Sequence, residues 1–203
     1  MDKLIAIFAQ NNINAYFASD KSAALKQVLE LVPTGCSITF AGSKTIEEVG
    51  VRDYFLQNSN QYTLIDPYAD NLNKEQSHER RRQGLLADVL LTSSNAITEK
   101  GEIVNIDGVG NRVAGLNFGP KKAIIVVGVN KIVPNLPAAW KRIATIAAPL
   151  NNKRLQTGNP CVISGICQNC NSPNRICRIY SVIQGQRAAN RLHVIIVNES
   201  LGF

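Results

Sequence analysis

One stretch, Asp88–Lys131, constrains the fold of this chain more than any other. It reads DVLLTSSNAITEKGEIVNIDGVGNRVAGLNFGPKKAIIVVGVNK. Asp88–Leu91 and Ala123–Val129 are unbroken apolar runs, the pattern of strands buried on both faces. A polar insert separates them. Within it, Gly101 follows Lys100 and reads as a hairpin turn into a short strand, Glu102–Ile106. Gly108 and Gly110 allow a tight turn or a close approach to a ligand before GNRVAGL. Polar groups gathered where buried strands end are what a ligand site in an open α/β sheet looks like. The plainer alternative is a polar hairpin with turn glycines.

The rest of the chain sets this unit in an alternating pattern. Leu4–Asn12 has helical spacing and Ile13–Ala18 reads as a strand. Asp20 is placed to cap a helix over Lys21–Leu31, with Leu25, Val28, Leu29 and Val32 on one face. Cys36–Ala41 is a strand, followed by Gly42-Ser43 and the helix-like TIEEVG, with Ser43 as its cap. Tyr62–Ile65 is a strand and Lys74–Leu85 a helix. Arg80, Arg81 and Arg82 in that helix read as a solvated face. Pro134–Ala148 is a helix with a proline near its start, and Tyr180–Ile183 and Leu192–Val197 are short strands. Alternation of this kind predicts an α/β fold, a mostly parallel sheet with helices on both faces. One domain over residues 1–203 is expected, with a polar, cysteine-rich segment at about 151–186 that breaks the pattern.

Charge is unevenly placed. The net charge is +7, yet residues 1–107 hold 14 acids and 10 bases, while residues 108–203 hold 12 bases and one acid, Glu199. Such segregation suits a small anionic ligand, an acidic partner or a negatively charged metal centre. A basic surface is also the footprint of a nucleic-acid binder. No aromatic-rich strand, recognition helix or dense Lys/Arg run accompanies it, so nucleic acid is not the expected partner. No apolar run reaches the length of a membrane span, and MDKLIAIFAQNN does not read as a signal peptide. A soluble, cytoplasmic protein is expected.

Three groups of residues carry chemistry. Gly42-Ser43-Lys44-Thr45 follows a strand and opens a helix, where free N–H groups favour an anion. The spacing is not that of a Walker A loop, and the plainer reading is a capped βα turn. In the central insert, Asn95, Asn111 and Arg112 offer donors to a phosphate or carboxylate, with Arg112 the best single candidate because guanidinium binds oxyanions in a fork. Glu99 and Asp107 are candidates for acid and base if desolvated. Lys131 follows a buried strand and is placed to point into the same cleft. The two histidines, His78 and His193, have no obvious catalytic partner, and His193, in an apolar strand, reads as structural.

The third group is Cys161, Cys167, Cys170 and Cys177, separated by five, two and six residues. In a cytoplasmic chain such a cluster favours a metal over disulfides. Zinc and an iron–sulfur cluster both suit four thiolates, and unligated thiols or disulfides stay open. Cys36, inside a strand, reads as an apolar filler.

At AGSKTIEEVG, NAITEKGEIVNIDGVGNRVA and CxxxGxCxxCxSPxRxC the chain resembles the LUD-domain family, the lactate-utilisation protein C relatives, in their short stand-alone form. The likeness covers nearly the whole chain. It implies a sugar-isomerase and CoA-transferase-like α/β fold and a bacterial link to oxidation of L-lactate to pyruvate alongside iron–sulfur partner proteins. The motif positions carried over are Gly42, Ser43, Thr45, Asn95, Thr98, Glu99, Asp107, Gly108, Asn111 and Arg112. A fold does not fix chemistry. The leading expectation is an accessory or regulatory subunit of lactate oxidation that binds a small anionic metabolite and is open to homo-oligomerisation. The rivals are a stand-alone enzyme acting on a phosphorylated or CoA-linked metabolite, and a metal-holding redox or structural module.

Overall fold

A computed structural model describes residues 1–203. The chain opens with α1 (Asp2–Gln10), which buries Leu4 and Phe8, and β1 (Ile13–Ala18). Asp20 caps α2 (Lys21–Leu31) by accepting the Ala23 N–H at 2.9 Å. Then come β2 (Ser37–Phe40), α3 (Lys44–Glu48), α4 (Val51–Gln57), β3 (Thr63–Ile65), and α5 (Lys74–Gln83) with a reciprocal Asn73–Gln76 capping box. The central unit supplies β4 (Val89–Thr92), β5 (Ala96–Thr98), β6 (Ile103–Asp107), α6 (Asn111–Asn117) and β7 (Lys122–Gly128). It is followed by β8 (Ile132–Val133), α7 (Leu136–Arg142), α8 (Ala148–Arg154), α9 (Cys161–Ser164), β9 (Ile179–Ile183) and β10 (Leu192–Val197).

Six strands form one wholly parallel sheet in the order β1-β10-β7-β4-β2-β3. Its central strands are buried on both faces, as their unbroken apolar runs require. Alternate residues serve two different cores. Val89, Leu91, Ile124, Val126, Ile195 and Val197 pack with α2, α3 and α4 on one face. Leu90, Ile125, Val127, Val194 and Ile196 pack on the other, with Leu4 and Phe8 of α1, Leu116 of α6, and Ile97 and Ile103. The expected α/β architecture, a parallel sheet with helices on both faces, is what the chain forms.

The insert does not join that sheet. β5 and β6 make an antiparallel hairpin, flanked by β8 and β9 in a second sheet ordered β8-β5-β6-β9. This small sheet covers one face of the large one. Its own outer face is closed by Ala139 and Ile143 of the α7 segment and by Ala148 and Cys177. The helix expected to end at Ala148 instead starts at Leu136, after an Asn135 cap, and continues to Arg154. A π-helical turn, Ile143–Ala147, precedes Pro149 and carries the chain past a residue that lacks an N–H. The cysteine-rich loop therefore begins after Arg154. No helix is long and apolar enough to cross a membrane.

Candidate functional site

In the large sheet, β2 has β3 on one side and β4 on the other. Loops leaving neighbouring parallel strands in opposite directions open a crevice at their C-terminal ends. Here that crevice is a cavity of about 450 Å³, lined by the β2–α3 turn, Ser93-Ser94-Asn95 after β4, the β6–α6 turn, and Lys131 after β7. Arg154 of α8, Ile176 of the cysteine loop and Phe203 complete the wall.

Local chemistry fixes each wall. Ser43 caps α3, its Oγ accepting the Ile46 N–H at 3.3 Å. The Gly42 N–H donates to Tyr68 Oη at 2.6 Å. At the β6–α6 turn Gly110 takes φ 99°, a left-handed conformation that glycine adopts freely. The Asp107 carboxylate then caps α6, accepting the N–H groups of Gly108, Arg112 and Val113 at 2.9, 3.0 and 3.2 Å. Gly108 admits the cysteine loop: a Cβ there would lie 3.2 Å from the Ile176 Cα and carbonyl oxygen.

Two cations sit deep in this frame. Arg112 donates through one nitrogen, Nη2, to Asn95 Oδ1 at 2.9 Å and to the Ile106 carbonyl at 2.6 Å. Burial pulls its pKa below the usual guanidinium value, against the pull of the Asp107 charge and then of Tyr68. Lys131 is 3% exposed, and its Nζ donates to Thr45 Oγ1 at 2.8 Å and Ser93 Oγ at 3.1 Å. Burial is the main reason its pKa falls to about 7; the positive charges of Arg142 and Arg112 add to this and Glu48 opposes it. Arg142 lies behind, donating to the carbonyls of Asn95 and Asn130 at 2.6 and 3.0 Å.

Of the other charged residues lining the cavity, Lys44 pairs with Glu47 and Arg52 with Asp66. Arg81, Arg112, Lys131 and Arg154 have no carboxylate within 4.0 Å, since the five ion pairs of the molecule use other cations. The pocket thus carries uncompensated positive charge, and its two acids, Glu47 and Asp107, are already engaged. An arrangement of this kind can accept an anion.

The structure brings together most of the residues expected to meet. Gly42, Ser43, Asn95, Asp107, Gly108, Asn111, Arg112 and Lys131 all line the cavity, and Thr45 touches it through Lys131. Thr98 and Glu99 do not belong to it. Thr98 is buried in the hairpin turn, donating to Glu102 Oε2 at 2.7 Å. Glu99 is exposed in the same turn. That turn packs near Ile7, Phe8 and Asn11, just before β1 begins, so it lies at the opposite edge of the sheet from the strand ends. A hairpin carries its tip away from the point where its strands start, which removes Glu99 as an acid or base here. Asp107 is present, but its oxygens cap a helix.

Several lining residues escaped the sequence reading. Arg81 is not part of a solvated face: it turns inward, 5.5 Å from the Tyr68 ring centroid. Helical spacing already separates it from Arg80 and Arg82, each about 100° away around the axis. Ser93 and Ser94 were visible as hydroxyls at a strand end. Nothing local marked Tyr68, Arg154 or Phe203.

The four C-terminal cysteines lie between the start of α9 and β9. Arg175 organises this segment, donating to the carbonyls of Cys170 and Cys177 at 2.8 Å each. All are free thiols, and no three His, Cys, Asp or Glu side chains are gathered closely enough to hold a metal ion. Cys161 and Cys177 are buried, Cys177 against Ala139, Ile143 and Ala148, while Cys167 and Cys170 stay half-exposed. Burial above all, and then Cys167 and Cys161, push the Cys177 thiol up to about 11. His193 is structural: its Nε2–H donates to the Asn190 carbonyl at 3.0 Å, so Nδ1 accepts from Tyr16 Oη at 3.1 Å.

A family model for the LUD domain matches residues 1–197. Among solved structures, the crystal structure of a DUF162 family protein from Deinococcus radiodurans is similar, with a TM-score of 0.57 and 12% identity over 97% of this chain and 95% of that one. At that identity the likeness speaks for the fold alone. No curated relative matches the chain.

Proposed function

Given that this chain belongs to the LUD-domain family, which is associated with lactate utilisation, we propose that it binds a small anionic metabolite of that pathway in the cavity at the strand ends. It would act there as a cytoplasmic accessory or regulatory subunit in the oxidation of L-lactate to pyruvate, beside iron–sulfur partner proteins. One observation carries the reading: Arg112 and Lys131 face a common cavity with no carboxylate paired to either. A desolvated guanidinium without a carboxylate partner is costly, and an anion bound beside Arg112 offsets that cost.

Calorimetric titration with L-lactate, pyruvate, a sugar phosphate and a CoA ester tests this. The expected result is saturable one-site binding of a small carboxylate. Preference for the phosphate or CoA ester, with turnover, would instead favour a stand-alone enzyme. No binding by any of the four, together with no capture of lactate-oxidising partners, would remove the proposal.

A further inference from the structure

We infer that Lys131 forms an imine with the carbonyl carbon of a 2-oxo acid held in this cavity, with Arg112 gripping the acid's carboxylate. The inference rests on the anion-binding reading above and assigns the site a covalent chemistry that simple anion binding does not require.

The surroundings of the amine argue for it. Thr45 Oγ1 lies 3.3 Å from the Leu201 carbonyl and Ser93 Oγ lies 3.4 Å from the Ser94 carbonyl, so both hydroxyl hydrogens have carbonyl acceptors. Both hydroxyl oxygens are then free to accept from Lys131 Nζ. In the neutral amine these two bonds use both N–H groups and leave the lone pair. The charged groups that act on it from the packed elements are Arg142 of α7, Arg112 of α6 and Glu48 of α3, and the Glu48 carboxylate already accepts the Gly202 N–H at 2.8 Å. Desolvation and two cations favour the neutral form, and a lysine becomes a nucleophile by these means. A lysine serving only as a point charge would keep its proton more firmly beside solvent or an acid.

The partner group is equally placed. Arg112 spends Nη2 on protein acceptors, and its Nε and Nη1 have none. A carboxylate held on that edge keeps a neighbouring carbonyl inside the cavity that Lys131 lines. The step balances without an oxidant. The lysine lone pair forms a C–N bond and the carbonyl π pair moves to oxygen. Proton transfer from nitrogen to oxygen gives a carbinolamine. Loss of the oxygen as water then leaves the C=N bond, so amine and ketone become imine and water.

The test is reductive trapping. Full-length protein is incubated separately with pyruvate, 2-oxobutyrate and 2-oxoglutarate, treated with borohydride, and analysed by intact and peptide mass, with calorimetric titration of the same acids in parallel. The expected result is one stable adduct per chain, mapped to Lys131, with at least one acid. The Lys131→Arg variant, checked for folding by circular dichroism, is expected to lose the adduct whatever affinity it keeps. Binding by the wild type without an adduct overturns the imine and leaves anion binding intact. Neither binding nor adduct overturns both. Equal labelling of wild type and Lys131→Arg overturns the assignment to Lys131.

Discussion

At the scale of single residues the account turns on a lysine that is hard to keep charged. Lys131 falls from 10.5 to about 7, mainly through burial. A group whose folded pKa is lowered contributes stability above its unfolded pKa and loses it as the pH falls through the folded value. Without ligand, the wild type should therefore gain stability relative to Lys131→Met as the pH rises from about 7 towards 10.5. The gain should be on the order of a few kcal/mol at most. Urea denaturation of both proteins across that range checks it, and parallel curves would contradict it. Arg112 and Lys131 were legible in the sequence because each stands beside a glycine turn or a strand end. Arg81 and Tyr68 were not, because only the three-dimensional path of the β3–α5 segment brings them over the cavity.

At the scale of elements, the site depends on two close fits. The first is the cap of α6. Asp107→Ala leaves three N–H groups without their acceptor and should cost about 1–2 kcal/mol of stability. Asp107→Asn should recover part of that loss, because its side-chain oxygen can still accept. Denaturation midpoints of the two variants measure this, and equal loss in both would mean that charge rather than the bond geometry matters. The second is Gly128, where an added Cβ would sit 2.5 Å from the Glu199 carbonyl and 2.6 Å from the Leu201 nitrogen. These backbone atoms cannot rotate away, so Gly128→Ala should lose about 1–3 kcal/mol. It should also disturb the Leu201 carbonyl that accepts from Thr45, and so weaken anion binding. The apolar runs made β4, β7 and β10 readable from sequence. The separation of the β5–β6 hairpin into its own sheet was not readable. Its apolar residues look the same whether they pair with the large sheet or lie flat upon it.

For the whole molecule, the uneven charge of the chain acquires a partial meaning. Arg112, Lys131 and Arg154 from the basic half converge on one cavity. Others do different work: Arg191 donates to the carbonyls of Gly115 and Leu116, and Arg178 to those of Ser172, Pro173 and Arg175. The net count suited an anionic ligand, an acidic partner or a negative metal centre alike, and only the fold tells which cations face the cavity. Part of the attraction comes from Arg81 and Arg154 near the cavity wall, so affinity should fall as salt is raised, while the deeper pair should be screened less. The family string marked loops that line the cavity, yet it also carried Glu99 into the proposed site, because adjacency in a hairpin does not keep residues together in space.

The most direct measurement is the dissociation constant of pyruvate for the wild type, Arg112→Ala, Lys131→Met and the double variant, taken by calorimetry under one buffer condition. The account predicts that Arg112→Ala weakens binding by about tenfold to a hundredfold, as loss of a charged hydrogen bond would. Lys131→Met should weaken it too, and the double variant should bind nothing measurable. Equal affinity in all four proteins would place the anion elsewhere and contradict the account.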